Sequence, residues 1–352
     1  MKRQVVILTE GFSNPRTAKT ACSIIRYRPD EVVALLDGTE AGKTAAELLQ
    51  VGDDVPVVAN LEEAPTANTL LIGIAPPGGK IPEAWRTIIL SALRQGMDVV
   101  SGLHEFLSED REFAAAAAAS DASIIDVRMN DEKEIARGLE LDESCFRVLT
   151  VGNDCSVGKM VTSIEINAGL KERGVDAKFV ATGQTGIMVE GDGCPVDCVV
   201  ADFVSGASER LVLDRQQHDV LMIEGQGSLA HPSYSAVTLG LLHGSAPHAM
   251  ILCYEVGRTQ TTSLDHRKIP PLGDLFRSFE LMANLRAPSQ IIGISMNGRL
   301  LSEQQADEEK QRLDREFGLP VCDVFRDGPS ILVDTVQTAF ERHRLAHPRQ
   351  TV

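Results

Sequence analysis

The stretch Leu149-Thr150-Val151-Gly152-Asn153-Asp154-Cys155-Ser156-Val157-Gly158-Lys159-Met160-Val161-Thr162-Ser163-Ile164-Glu165 decides how the rest of the chain is read. Residues 146–151 form a short apolar strand that runs into a loop opened by Gly152 and closed by Gly158-Lys159. A helical pattern follows at once. Strand, glycine-bounded loop, lysine and helix are the physical recipe for holding a phosphate. Glycine lets the backbone come close, successive N–H groups point inward, the helix N-terminus is positive, and the lysine adds a mobile cation. The spacing departs from the usual G-x-x-x-x-G-K-[ST] pattern: five residues separate Gly152 from Gly158, and Met160 stands where Ser or Thr would hold Mg²⁺. The run Gly152, Asn153, Asp154, Cys155, Ser156, Val157, Gly158, Lys159 and Met160 is the predicted cofactor-binding loop.

Outward from the loop, apolar strands recur at residues 177–181, 220–223, 249–254, 290–295 and 320–324, and residues 302–317 form a charged amphipathic helix. The polar tail, residues 342–352, is expected to fray. Upstream, residues 3–130 alternate strands and helices in the same way, and the polar stretch 130–143 reads as a linker. Repeated β-α units with apolar strands imply parallel sheets covered on both faces. The fold class is therefore α/β, with domains at residues 1–135 and 136–352. Ligands of such sheets sit at the C-terminal strand ends.

A chain of 352 residues exceeds one ordinary core, which agrees with two domains. The net charge of −16 argues against non-specific nucleic-acid binding and against anionic membranes. No apolar run approaches the ~20 residues of a membrane span, and the apolar start is interrupted by Glu10. Seven cysteines without framework spacing suit a reducing cytoplasm. Cys194-x3-Cys198 lacks a second pair, so no metal site is expected. An assembly of identical chains is the expected state.

The strand at 220–223 ends in Glu224-Gly225-Gln226-Gly227-Ser228, an acid where phosphate-loop folds place a metal-side or water-side carboxylate. Between it and the loop lies Thr182-Gly183-Gln184-Thr185-Gly186, a flexible, hydroxyl-rich segment suited to a small polar ligand, with Gln184 and Thr185 as substrate contacts. Asp202 polarises a ligand amine or caps a helix near residues 205–209. His231 is a candidate general base, since histidine titrates near neutrality. Asn297, at another strand end, would read a nucleotide base, and Arg258 would face an acidic substrate, with a solvated loop as the alternative. Cys155 sits near a helix N-terminus, which favours thiolate, though a small loop residue is the plainer reading. In the first domain Gly38-Thr39-Glu40-Ala41-Gly42-Lys43-Thr44 imitates a phosphate loop with only three residues between its glycines, and reads as a decoy. Lys19, Asp37, Gly78, Gly79 and His104 fall at strand ends or helix starts, as cleft residues or as turns and caps.

The loop GNDCSVGKM and the segment Ile223-Glu224-Gly225-Gln226-Gly227 resemble dethiobiotin synthetase and its P-loop relatives. Over residues 11 to about 300 the chain resembles the D-glutamate N-acetyltransferase (DgcN-like) family. The likeness rests on Lys19-Thr20 with Arg26-Tyr27, residues 33–37, Gly78-Gly79, Gly102-Leu103-His104, Asp126-Val127-Arg128, the loop itself, TGQTG, Asp202-Phe203 and EGQGS. That resemblance implies an N-terminal Rossmann-like domain and a C-terminal P-loop domain. It also implies acetyl transfer from acetyl-CoA to the amine of an acidic amino acid such as D-glutamate. A loop that keeps Lys159 but loses its metal ligand at Met160 still binds the phosphates of CoA. Asp202, Glu224 or His231 would then take the amine proton. The rival reading is an ATP- and Mg²⁺-dependent kinase or ligase of dethiobiotin-synthetase type; a third is a nucleotide-binding module without turnover.

Overall fold

The protein is described by a computed structural model covering residues 2–74, 79–139 and 141–349. Two compact units are present, residues 1–129 with 187–191, and residues 130–186 with 192–352. No helix among the described residues is long and apolar enough to cross a membrane.

The first unit holds a six-stranded sheet of β1 (Val5–Leu8), β2 (Val32–Leu36), β3 (Val57–Val58), β4 (Thr69–Ile72), β5 (Asp98–Ser101) and β6 (Ile124–Asp126). The strand order is β3-β2-β1-β4-β5-β6, and every pairing is parallel. All four residues of β1 are buried, as a central strand covered on both faces requires. Helices α1 (Lys19–Tyr27), α2 (Ala45–Leu49), α3 (Trp85–Arg94) and α4 (Arg111–Ser120) supply the crossovers. The imitation phosphate loop is spent on structure. Thr44 forms a capping box with Glu47 at the head of α2, and Lys43 pairs with Glu40. The buried Asp37 carboxylate ties turns together through Ser13 Oγ, the Gly11 amide and the Thr39 amide. Gly78 lies outside the described residues.

The second unit repeats the plan. Its sheet contains β7 (Phe146–Gly152), β8 (Ala177–Val180), β9 (Val220–Ile223), β10 (Ala249–Glu255), β13 (Gln290–Asn297) and β14 (Val321–Cys322) in the order β14-β13-β10-β7-β9-β8. A small antiparallel hairpin, β11 (Gln260–Thr261) with β12 (Leu264–Lys268), stands apart from it. The helices are α5 (Lys159–Glu172), α6 (Gln184–Glu190, of which residues 187–190 count with the first unit), α7 (Val204–Leu213), α8 (Ser235–Ser245), α9 (Leu272–Asn284), α10 (Glu303–Phe317) and α11 (Ser330–Ala346). The central strands β7 and β10 are buried along their whole length. Each fully buried Leu, Ile or Val there stabilises the fold by about 1.5–3 kcal/mol before entropy is counted. Strand connections run from β7 to one edge and then, through β10, to the other. The C-terminal ends of β9, β7 and β10 therefore sit at the switch point where α/β sheets bind ligands.

Three expectations change. The segment 182–186 is not a flexible loop, because α6 begins at Gln184. The amides of Thr182 and Gly183, which precede that helix, are held by the Glu224 carboxylate. The tail does not fray at residue 342. α11 runs to Ala346, burying Leu332, Val333, Val336 and Phe340, and His343 Nε2 donates to the Glu143 carbonyl at 2.6 Å. Beyond Arg258, where a solvated loop is the alternative to a substrate contact, the chain forms the β11–β12 hairpin, whose His266, Arg267 and Lys268 are exposed. Residues 350–352 lie outside the described residues.

Candidate active site around the phosphate loop

β7 delivers Gly152 to the sheet end, and the chain turns through Ser156 at φ +57° and Gly158 at φ +112° before α5 begins at Lys159. At Gly158 the left-handed backbone favours glycine, and an added Cβ would still meet no atom within 4 Å. Lys159 and Met160 open α5, so their amides, in the first helical turn, have no carbonyl of their own helix to bond. The buried Lys159 Nζ donates to the Asp154 carbonyl at 2.7 Å, folding the ammonium over the loop. Burial lowers the lysine from its ordinary value, opposed by Cys155, Cys253, Asp154 and Glu224 nearby.

The hydroxyls that follow Met160 are committed elsewhere. Thr162 Oγ1 lies 2.7 Å from Ser295 Oγ, and Ser163 Oγ lies 3.0 Å from Thr150 Oγ1, all four being buried. Neither hydroxyl faces the loop as a metal ligand, and Met160 has none to offer.

Asp154 is fully buried and organises the loop from inside. Its Oδ2 accepts from Thr262 Oγ1 at 2.7 Å, from the Thr262 amide at 2.8 Å and from Arg258 Nη1 at 3.0 Å, while Oδ1 accepts from the Cys155 amide. Burial alone would raise this carboxyl. The hydrogen bonds from Thr262, Cys155 and Arg258 outweigh it and hold the group below its ordinary value. Arg258 also donates to the Cys155 carbonyl at 2.7 Å and pairs with Glu255. Its guanidinium is thus engaged within the loop cluster rather than presented alone to a substrate.

His231 is buried beside this cluster. Its Nδ1 accepts from the Ser233 amide at 3.1 Å, so the ring proton sits on Nε2, which lies 3.3 Å from the Thr262 carbonyl and 3.9 Å from Asp154 Oδ1. In this tautomer the imidazole donates toward the loop, which differs from the general-base role expected for it. Ligand atoms of Asp154, Cys155 and His231 lie within 4.8 Å of one another. These donor types suit a transition metal. The Asp154 carboxylate, however, already carries the Arg258 cation and both Thr262 donors.

Glu224 follows β9 and is buried. Its Oε2 accepts from the Thr182 amide at 2.9 Å and the Gly183 amide at 3.1 Å. Burial raises the carboxyl to about 7; the two amides and Lys159 pull the other way, and Asp197 adds to the rise. A carboxyl that titrates near neutrality beside a lysine is suited to proton transfer. Gln184 and Thr185, half-buried, follow directly at the head of α6. Asp202 is exposed in a short 3₁₀ turn, and α7 beyond it carries no side-chain cap. Asn297 Oδ1 accepts from the Arg299 amide at 3.3 Å.

Glu255 went unread in the sequence. It is buried at the end of β10 and pairs with both Arg258 and Arg299. The signal was present, because Glu255-Val256-Gly257 repeats the acid-then-glycine ending that singled out Glu224.

Comparison with known proteins places this arrangement. A family model described as the P-loop domain of a domain of unknown function, DUF1611_C, matches residues 134–333. A second, the Rossmann-like DUF1611_N domain, matches residues 38–130. A D-glutamate N-acetyltransferase of Tritonibacter scottomollicae is 40% identical over 326 residues, 91% of this chain and 94% of that protein. A D-glutamate N-acetyltransferase of a Pseudoalteromonas species is 40% identical over 268 residues, 76% of this chain and 80% of that protein. The crystal structure of a DUF1611 family protein from Anabaena variabilis superposes with a TM-score of 0.90 at 38% identity, covering 96% of this chain and 99% of that one. The expected pairing of a Rossmann-like domain with a P-loop domain is borne out.

Proposed function

The chain belongs to the DUF1611 family, and we propose that it moves an acetyl group from acetyl-CoA to the amine of an acidic amino acid of the D-glutamate type. It is an N-acetyltransferase-type enzyme, as its relatives at 40% identity are named. The observation that carries the choice of donor is the loop. It keeps Lys159 and the amides of the first turn of α5, yet has Met160 at the metal-ligand position, with Thr162 and Ser163 tied into the core. Such a loop grips phosphates without needing the Mg²⁺ that phosphoryl transfer uses.

The sheet order supports one layout. Neighbouring strands lie about 4.8 Å apart, so the ends of β7, β9 and β8 form a row leading from the loop, past Glu224, to the head of α6. Coenzyme phosphates on the loop direct the pantetheine arm along that row. The amine nitrogen attacks the thioester carbonyl, the C–S bond breaks, and CoA leaves as its thiol. The amine proton passes to the Glu224 carboxylate and from it to the departing sulfur, which leaves the carboxylate as it began; a carboxyl at about 7 exchanges protons readily at neutral pH. Gln184 and Thr185 supply polar contacts for the amino acid. His231, donating from Nε2, holds the Thr262 side of the loop.

Thiol release from acetyl-CoA, measured with D-glutamate and L-glutamate, tests the activity. Turnover dependent on the amino acid is expected. Lys159→Ala is expected to weaken acetyl-CoA binding roughly ten- to a hundredfold, the loss of one charge-assisted contact. Stabilisation by ATP–Mg²⁺ alone, with no effect of acetyl-CoA, would overturn the reading.

A further inference from the structure

Beside the loop, at the end of β10, lies a cavity of about 580 Å³, a size typical of small-molecule sites. Ile269, Pro270 and Leu272 form an apolar wall, and Asn153, Tyr254 and Lys268 contribute polar groups. Most charges around it are already matched. Glu255 is held by Arg258 and Arg299, Tyr254 Oη by Glu309, and Arg312 by Glu309 and Glu316. Two groups are left over. Asn153 is 6% exposed, and its Oδ1 is shut off from solvent with no hydrogen-bond partner among the described residues. Lys268 is exposed at the end of β12 and has no ion pair among the described residues. Buried side-chain amides are normally partnered; with Oδ1 closed off, the Asn153 amide meets a donor in this cavity by turning about its last torsion.

We propose that this cavity is the nucleoside subsite of the coenzyme, with adenine against the apolar wall, its amino edge on the Asn153 amide, and the ribose 3′-phosphate on Lys268. The proposal rests on the reading that the loop holds coenzyme phosphates. It extends the row of strand ends by one step, with the nucleoside at β10, phosphates at β7 and the arm toward β9. An amide offers an acceptor beside a donor, and the N6/N7 edge of adenine offers the converse, whereas guanine presents two acceptors there. The last torsion of Asn is soft, so the amide turns to the ligand at little cost. Asn297, expected from the sequence to read a base, has its Oδ1 on the Arg299 amide and does not line this cavity.

Titration calorimetry on the full chain tests this with acetyl-CoA, its 3′-dephospho form and ADP. Asn153→Leu removes an unpartnered acceptor at nearly constant shape, so thermal stability holds or rises. Its affinity for acetyl-CoA is expected to fall about tenfold or more. Wild type is expected to favour acetyl-CoA over the dephospho form, and Lys268→Ala to close that gap. Unchanged affinity in Asn153→Leu, or equal binding of the two coenzymes by wild type, overturns the subsite. If Asn153→Leu misfolds, Asn153→Asp carries the same test, because it sets an acceptor against N7. Thiol release with D-glutamate on the same preparations separates the two readings. Turnover with unchanged Asn153→Leu affinity sinks the subsite alone. If acetyl-CoA neither binds nor turns over, the acetyltransferase reading falls and ADP decides the subsite. Weaker ADP binding by Asn153→Leu then supports an adenine pocket, and equal binding overturns it.

Discussion

Glu224 and Thr182 are clasped twice, the Thr182 amide donating to Glu224 Oε2 at 2.9 Å and the Thr182 hydroxyl donating to the Glu224 carbonyl at 2.7 Å. The clasp fixes the end of β9 against the segment that follows β8, and holds the carboxylate where burial raises it to about 7. Its folded value lies above the ordinary 4.5, so the folded state keeps a proton that the unfolded chain loses. The stabilising contribution is full below about 4.5 and is lost as pH rises through about 7. Glu224→Gln is neutral throughout. It should gain on wild type between about pH 5 and about pH 8 by on the order of 3 kcal/mol. Urea denaturation at the two pH values reads this, and parallel curves for the two proteins would count against it. Activity should move the other way. Wild-type kcat/KM should rise through about pH 7, and Glu224→Gln should lose roughly a hundredfold or more.

Arg258→Ala should destabilise the second unit by about 3–5 kcal/mol, because it leaves the fully buried Asp154 without its cation. Arg258→Lys should recover part of the loss. The Asp154 carboxyl is held below its ordinary 3.8, so its contribution is present above that value and is lost as pH falls through the lowered one. Asp154→Asn should therefore show a weaker acid dependence of stability than wild type, read from denaturation midpoints across the acid range. An acid limb as steep as that of wild type would show that Asp154 is not its source.

Gly186→Ala sets helix preference against site geometry. Alanine is worth up to about 1 kcal/mol over glycine within a helix, yet a Cβ at residue 186 would lie 2.3 Å from Glu224 Oε2. The carboxylate must move, so activity should drop about tenfold while the melting temperature stays within a few degrees. Combined with Glu224→Gln, the Gly186→Ala loss should largely vanish, since both act through one carboxylate. A double variant whose losses simply add would separate Gly186 from Glu224.

Much of this was legible in the sequence, for a local reason. The buried parallel strands are apolar runs, the phosphate loop is contiguous, and Glu224 ends its strand beside glycines. Long-range groups were not legible. The Asp154 contacts to Arg258 and Thr262 span more than 100 residues, and nothing near Asp154 in the chain announces them. α6, with its sequence QTGIMVE, has poor intrinsic helix preference, and the preceding amides rest on Glu224, which lies far along the chain. The tautomer of His231 depends on one amide, that of Ser233, which only coordinates reveal. The orphan on Asn153 is defined by what surrounds it, and no sequence pattern encodes a missing partner.

Met160 tests the central choice between anchoring a coenzyme and transferring a phosphoryl group. It follows Lys159 in the first turn of α5 and is half-buried, at the position where a threonine would bring a hydroxyl to a metal bound beside the phosphates. Thr162 and Ser163 do not replace it, because Ser295 and Thr150 hold their hydroxyls in the core. Wild type should bind acetyl-CoA equally with and without a chelator, and ATP without any gain from Mg²⁺. Met160→Thr changes a half-buried side chain and should cost under about 1 kcal/mol in stability. It should leave acetyl-CoA affinity within about twofold, while ATP binding becomes Mg²⁺-dependent by roughly tenfold. Calorimetry with and without Mg²⁺ reads both quantities. If wild type already requires Mg²⁺ for either ligand, the metal is held by groups other than the residue after Lys159, and the case for a metal-free coenzyme anchor fails at its first step.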